Sequence, residues 1–125
     1  MEKSASRRDK RVLSLGIIKK RSDFLAAQSG ERAPTPSFVL TRAIRPNPDG
    51  VTQVGFTVTR KIGGAVVRNR IKRRLRAAAR AVFPDSAAPG FNYVLIARPL
   101  AATRNYASLL DDMKRGLLRL NALPK

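Results

Sequence analysis

The residues from Arg60 to Arg80 constrain this chain most, because they read as one long helix with a strongly cationic side. The segment RKIGGAVVRNRIKRRLRAAAR contains nine lysine or arginine residues and no acidic residue. Helix is predicted from about Val66 to Val82, and Pro84 and Pro89-Gly90 are expected to close it. At about 100° per residue, one side of this helix collects an apolar, core-facing stripe of Val67, Ile71, Leu75, Ala78 and Val82.

The opposite side of the predicted helix is polar and almost entirely basic. Its pole and flanks hold Asn69, Arg70, Lys72, Arg73, Arg76 and Arg80, which together are called the basic ridge below. Arg68 and Arg74 lie nearer the buried edge, where their aliphatic stems can cover apolar surface. A solvated helix face usually mixes charges and forms i, i+4 pairs, but this segment offers no acid for pairing. The pattern favours a phosphate-binding surface.

The charge of the whole chain points the same way. Its 125 residues include 26 basic and 8 acidic side chains, giving a formal net charge of +18. A compact domain with this charge repels itself, and a polyanion removes that cost. Nucleic acid is the first candidate partner and an anionic membrane surface is the second. Without cysteine or histidine, disulfides, thiolate zinc sites and histidine-based catalysis are excluded.

The N-terminal part of the chain predicts an arm followed by one domain. Residues 1–16 are expected to be a flexible basic arm and residues 17–125 a single domain. The apolar run VLSLGII is short and interrupted, so neither a signal peptide nor a membrane span is expected, and we expect a cytoplasmic protein.

The remaining segments predict an α+β sandwich of the order αββ(β)αβα. A helix is expected to begin at Ser22 or Asp23 and to end at Gly30, before a loop over ERAPTPS. The runs SFVLTRAI and VTQVGFTVT are expected to form an antiparallel hairpin across the RPNPDG turn. FNYVLIAR predicts a strand covered on both faces, and Thr103 or Asn105 is expected to cap a final amphipathic helix through about Ala122.

The middle of the chain, FTVTRKIGGAVVRNRIKRRLR, resembles the segment typical of the bacterial ribonuclease P protein subunit, with RNRIKR at its centre. KKRSDF, SFVL, YVLIARP and the C-terminal helix extend the resemblance over most of the chain. The resemblance implies a subunit that assists a catalytic RNA in removing the 5′ leader of precursor tRNA. It implies that the chemistry and its Mg²⁺ belong to the RNA, with one protein per RNA and neither a catalytic residue nor a metal site in this chain.

The resemblance also implies residue roles and one unusual connection. Contacts to the catalytic RNA are implied for Arg60, Lys61, Arg68, Asn69, Arg70, Lys72 and Arg73, and the helix face adds Arg76 and Arg80. A separate leader-binding cleft would use Phe24, although Gln28 and Thr41 stand where other members carry aromatic residues. The basic helix would lie in a left-handed βαβ crossover, against the usual right-handed rule.

Three other functions remain to be weighed. An autonomous nuclease would need clustered carboxylates or a general base, whereas the acids here are scattered. A membrane-surface protein would need large aromatic anchors on the apolar side of the basic helix, which that side lacks. A generic basic RNA-binding protein, such as a ribosomal protein or assembly factor, is the main alternative, because charge alone does not exclude it.

Overall fold

Residues 15–121, which the computed structural model describes, form five strands, three α-helices and two short 3-10 helices. The strands are β1 (Leu15–Ile17), β2 (Glu31–Pro34), β3 (Phe38–Arg42), β4 (Thr52–Thr57) and β5 (Asn92–Ala97). The α-helices are α1 (Arg21–Gln28), α2 (Ala65–Ser86) and α3 (Tyr106–Asn121), and the 3-10 helices are Arg60–Ile62 and Pro99–Ala102. The α+β class is confirmed.

All five strands belong to one sheet in the order β1-β4-β5-β3-β2. The central strand β5 runs parallel to β4 and antiparallel to β3. The predicted β3–β4 hairpin is therefore wrong, since β5 lies between these two strands. The continuous apolar run of β5 suits a central strand, which has a neighbouring strand on each side and is covered on both faces. The turn signal between β3 and β4 does not reveal that another strand lies between them. Because α2 connects parallel neighbours, β4–α2–β5 is a βαβ unit, consistent with the crossover that the resemblance implies.

Both edge strands differ from the sequence-based expectation. The segment expected to be a loop begins with β2, whose Glu31 pairs with Arg42 of β3 through a 3.0 Å ion pair. Pro34 is tolerated in β2 because the strand lies at an edge of the sheet, and the Thr35–Phe38 turn, which contains Pro36, follows directly. At the other edge, Leu15 and Gly16 belong to β1, so the predicted arm is too long by two residues. Residues 1–14 of that arm lie outside the described range.

The sheet separates two apolar layers. On one face, α2 and α3 pack onto alternate residues of β3, β4 and β5, and this larger core contains the fully buried Phe38, Leu40, Tyr93 and Leu95. On the other face, α1 covers a smaller cluster built around Ile18, Ala27 and Val94. The side chains of β4 alternate between the two layers, since Val54 is buried and Phe56 packs against the same larger core.

The basic helix extends further than predicted, through Pro84 to Ser86. A proline removes a helical hydrogen bond and usually ends a helix. Here the last turn is anchored by packing, because Phe83 is buried and meets Tyr93 edge to face with ring centroids 5.1 Å apart.

The final helix begins where the sequence suggested. Asn105 Oδ1 accepts hydrogen bonds from the backbone N–H of Ala107 at 2.9 Å and of Ser108 at 3.4 Å, which confirms Asn105 rather than Thr103 as its cap. The stripe of α3 is also confirmed, with Leu109, Met113 and Leu117 fully buried.

Candidate nucleic-acid interface

The basic ridge lies on the solvent side of α2. Its members Asn69, Arg70, Arg73, Arg76 and Arg80 are exposed, and Lys72 is half-buried. On the other side of the helix, the predicted core stripe is buried from Ile71 onward, whereas Val67 keeps 37% of its surface exposed. The structure therefore places the ridge residues together on one accessible face.

None of the ion pairs within residues 15–121 involves the basic ridge. Those pairs join Arg42 to Glu31, Arg104 to Asp112 and Arg115 to Asp111. The ridge carries its positive charge without an acidic partner from this part of the chain. Such a surface is suited to a ligand that brings many negative charges.

Three arginines of α2 are held by backbone carbonyls. Arg68 Nε donates to the carbonyl oxygen of Gly63 at 3.1 Å, and Arg70 Nε donates to that of Ala102 at 3.2 Å. Arg74 Nε donates to the carbonyl oxygen of Ala101 at 3.1 Å, and its Nη2 donates to that of Arg104. Arg68 and Arg70 still present their remaining guanidinium N–H groups, whereas Arg74 is turned toward the loop after β5. Sequence reasoning placed Arg74 correctly near the buried edge but gave no sign of these partners.

The carboxyl ends of the parallel strands add further cations. Arg60 and Lys61 are exposed in the short helix that follows β4. Thr57 pairs with Ile96 in the sheet, so the exposed Arg98 emerges beside this segment at the end of β5. Adjacent strands lie about 4.8 Å apart, which makes this edge a continuation of the cationic surface. Arg98 was missed because only the strand register reveals its neighbours.

Arg76 is positioned by an aromatic ring. Its guanidinium carbon lies 6.0 Å from the ring centroid of Phe56, at the outer limit of a cation–π contact. The contact places the arginine beside β4 while leaving it exposed.

Phe24 lies on the opposite face of the sheet from the basic ridge. Its ring packs against the backbone of β4 at Gly55, where an added Cβ would come within 2.7 Å of Phe24 Cε2. The half-buried ring also borders a shallow depression of about 240 Å³, together with Ile18 and the cationic Lys19, Lys20 and Arg21. The candidate site thus consists of two separate surfaces, one on each face.

Gln28 and Thr41 have different places near the Phe24 surface. Gln28 Oε1 accepts a 2.8 Å hydrogen bond from Thr57 Oγ1, which joins the end of α1 to β4. Thr41 is buried in β3 and donates a 3.3 Å hydrogen bond to the carbonyl oxygen of Val94. Gln28 therefore borders the sheet surface, and Thr41 does not reach it.

The described residues form neither a metal site nor a membrane span. Within residues 15–121, no three aspartate or glutamate side chains come together in a way that could hold a metal ion. No helix in the same range combines the length and apolar character needed to cross a bilayer.

The fold and its unpaired cationic helix define a small α+β protein of the RNA-binding class. A model of the family described as Ribonuclease P matches residues 16–121. The chain belongs to the ribonuclease P protein family. Membership makes it a subunit of that endoribonuclease and a partner of its RNA component.

Individual relatives agree with the family match. The ribonuclease P protein component of Ruegeria pomeroyi is 46% identical over 111 residues, covering 86% of this chain and 88% of that protein. The corresponding component of Caulobacter vibrioides is 48% identical over 111 residues, covering 89% and 74%. The solved RNase P protein from Thermotoga maritima is 27% identical, with a TM-score of 0.69 over 82% of this chain and 96% of that chain. The alignment confirms the fold expected from the resemblance.

Proposed function

We propose that this chain binds the catalytic RNA of ribonuclease P through the basic ridge and holds the 5′ leader of precursor tRNA near Phe24. In this way it promotes endonucleolytic removal of the leader and so the maturation of the tRNA 5′ end. The observation that carries the proposal is the exposed cationic face of α2 without acidic partners among residues 15–121, in a chain of this family.

The basic ridge acts by neutralising phosphate charge and by fixing the orientation of the RNA. Arginine presents a planar fork of donors that matches two phosphate oxygens, and Asn69 can donate to or accept from a ribose 2′-OH. Arg68 and Arg70 support this role because carbonyl groups already fix their Nε atoms. Less side-chain freedom is then lost when their remaining N–H groups bind phosphate. Arg60 and Lys61 extend the same contact beyond the helix.

The leader would bind on the other face of the sheet. Phe24 offers the exposed part of its ring for stacking on an unpaired base, while Lys19, Lys20 and Arg21 attract the phosphates beside it. Because Gly55 lies directly beneath the ring, Phe24 is held in place before the leader arrives. Two surfaces on opposite faces allow the catalytic RNA and the leader to contact the protein at the same time.

In this proposal the chain takes no part in bond cleavage. The phosphodiester is hydrolysed by the catalytic RNA with bound Mg²⁺, and one protein acts per RNA. The protein contributes binding energy and lowers the repulsion between substrate and RNA, so its benefit is greatest when little Mg²⁺ is present to screen phosphates.

Reconstitution tests the proposal directly. A precursor tRNA is incubated with the cognate catalytic RNA at low Mg²⁺, with the protein, without it, and with the protein alone. We expect cleavage only when both components are present. Cleavage by the protein alone would move the chemistry into this chain. Tight RNA binding without faster leader cleavage would show that the ridge binds RNA only as a generic cationic surface. That result would favour the alternative of a ribosomal protein or assembly factor.

A further inference from the structure

A small cavity lies on the flank of α1 that faces away from the Phe24 depression. Its volume is about 280 Å³, and it is bounded by Ala26 of α1 on one side and by Ala43 and Ile44, which follow β3, on the other. Ligand pockets for drug-sized molecules measure about 300–1,000 Å³, so this cavity suits a ligand of one or two rings. Neither the ridge nor the leader surface uses it.

Two asparagine side chains give the cavity a defined polarity. Asn47 Nδ2 donates to the carbonyl oxygen of Val51 at 2.7 Å and to Asn92 Oδ1 at 2.8 Å. A carbonyl oxygen only accepts hydrogen bonds, so the amide of Asn47 must turn its NH₂ group toward Val51. The second hydrogen of that group then requires the oxygen of Asn92. One backbone carbonyl thus fixes the orientation of both amides.

This arrangement leaves one donor and one acceptor for a ligand. With both hydrogens of Asn47 Nδ2 engaged, its Oδ1 makes no hydrogen bond within residues 15–121. The NH₂ group of Asn92 likewise donates to no described residue, and it is accessible rather than fully buried. Both side chains line the cavity, so these two groups are available to a ligand there. The linked amides therefore act as one fixed donor–acceptor pair.

We propose that this cavity binds a single unpaired nucleobase of the bound RNA, and that it prefers a base with an exocyclic amino group. Bases displayed in single-stranded RNA are read by hydrogen bonds along their edges, and asparagine pairs a donor and an acceptor with adenine. Asp23 at the rim can accept a further hydrogen bond from an amino group, which uracil lacks. Arg45 at the rim is available for the adjoining phosphate.

The proposal rests on the RNA-binding function but concerns a third surface of the protein. Asp23 and Ala26 lie on one flank of α1, whereas Phe24 and Gln28 lie on the flank that faces β4. A base bound in the cavity would therefore be a different nucleotide from one stacked on Phe24.

Nuclear magnetic resonance of the full chain, labelled with ¹⁵N, provides the test. The side-chain NH₂ signals of Asn47 and Asn92 are followed while adenosine, cytidine and uridine 5′-monophosphates and ribose 5-phosphate are added separately. We expect the Asn92 signal to shift with adenosine and cytidine monophosphates at millimolar concentration, about tenfold more weakly with uridine monophosphate, and not with ribose 5-phosphate. Equal shifts with ribose 5-phosphate would show phosphate binding only, and an unmoved Asn92 signal would overturn the proposal.

Three variants sharpen the experiment. Ala26→Phe fills the cavity from an exposed helix position and should weaken nucleotide binding by at least about tenfold. Ser22→Phe adds the same ring at another exposed position of α1 and should bind like the wild type. Asp23→Asn should reduce the preference for adenosine over uridine monophosphate. Unchanged binding by Ala26→Phe would contradict the assignment. Since this titration contains no catalytic RNA, its outcome is independent of the leader-cleavage assay.

Discussion

Arg74 Nε donates a 3.1 Å hydrogen bond to the carbonyl oxygen of Ala101, so an arginine of the basic helix fastens the loop that follows β5. Its Nη2 group also donates to the carbonyl oxygen of Arg104, two residues before α3 begins. Although it lies within the RNRIKRR run, Arg74 supports the fold, whereas its neighbour Arg73 is exposed.

Arg74→Ala should therefore lower stability rather than phosphate binding. We expect the free energy of unfolding to fall by about 1–3 kcal/mol, because two part-buried carbonyl groups lose a charged donor. Arg73→Ala is the matched control, with the same change of charge at an exposed position, and should stay within about 0.5 kcal/mol of the wild type. Urea denaturation of both variants gives the measurement, and equal loss in the two would contradict the separate roles.

The salt dependence of RNA binding should show how many phosphates the basic ridge contacts. If roughly six to eight phosphates are contacted, log affinity for the catalytic RNA should fall with log salt at a slope of about −4 to −7. Reversing the charges of Arg73 and Arg76 to glutamate should make this slope shallower. A control pair, Lys114→Glu with Arg115→Glu, makes the same change of net charge on exposed positions of α3. A slope that is unchanged by the ridge pair, or changed equally by both pairs, would count against the assigned face.

If the 5′ leader stacks on Phe24, replacing Phe24 should weaken the binding of precursor tRNA specifically. Phe24→Leu keeps an apolar side chain over Gly55 but removes the ring, so stacking worth about 1–3 kcal/mol per base should be reduced. Affinity of the holoenzyme for precursor tRNA should fall, while affinity for mature tRNA, which lacks the leader, should not. Direct binding measurements with both RNAs separate the two cases. A parallel loss for mature tRNA would show that Phe24 acts only through the fold.

The neighbouring acids Asp111 and Asp112 should differ in their contribution to stability. Asp112 is 4% exposed, accepts a 2.7 Å hydrogen bond from Ser37 Oγ and pairs with Arg104 through both oxygens. Asp111 forms an exposed i, i+4 pair with Arg115. Asp112→Asn should cost about 1–3 kcal/mol because a buried acceptor loses its charge and one of its bonds, whereas Asp111→Asn should cost about 0–1 kcal/mol. Thermal unfolding followed by circular dichroism compares them, and equal shifts would refute the distinction.

Tyr93 predicts how stability changes at alkaline pH. Burial raises the pKa of its hydroxyl above the ordinary value of 10.0, although the charge of Arg42 and the hydrogen bond that the backbone N–H of Ala88 donates to the tyrosine oxygen oppose the shift. Above pH 10 the unfolded chain would then release this proton while the folded chain keeps it, so stability should fall as pH rises. Tyr93→Phe should show a shallower loss between neutral pH and pH 11 by urea denaturation. An identical pH slope in the variant would contradict a raised pKa.

Local sequence patterns predicted the helices well and the strand pairing poorly. The core stripe of α2 and the Asn105 cap follow from spacing within one element. The β3–β4 hairpin failed because pairing depends on competition among all strands, and β5 is the better partner for both. β2 was missed because the two prolines of ERAPTPS looked prohibitive, whereas only Pro34 lies in the strand and an edge strand tolerates it.

At the candidate interface, features within one helix could likewise be predicted from the sequence, whereas contacts between distant residues could not. The exposed positions of the basic ridge follow from helical geometry alone. The contact of Arg74 with Ala101, and that of Asn47 with Asn92, join residues 27 and 45 positions apart in the chain. No periodicity connects such residues, so only the folded chain shows which arginine is structural and which amides share a cavity.

The central position of β5 has a consequence for how the protein is made on the ribosome. Before residues 92–97 are available, β1 can pair only with β4 and β2 only with β3, and nothing joins these two ladders. When β5 leaves the ribosome, the whole basic helix has already left it, since α2 precedes β5 in the chain. We expect the sheet to close in one late step. Until that step, the exposed cations of α2 belong to an incompletely folded chain that lies beside ribosomal RNA.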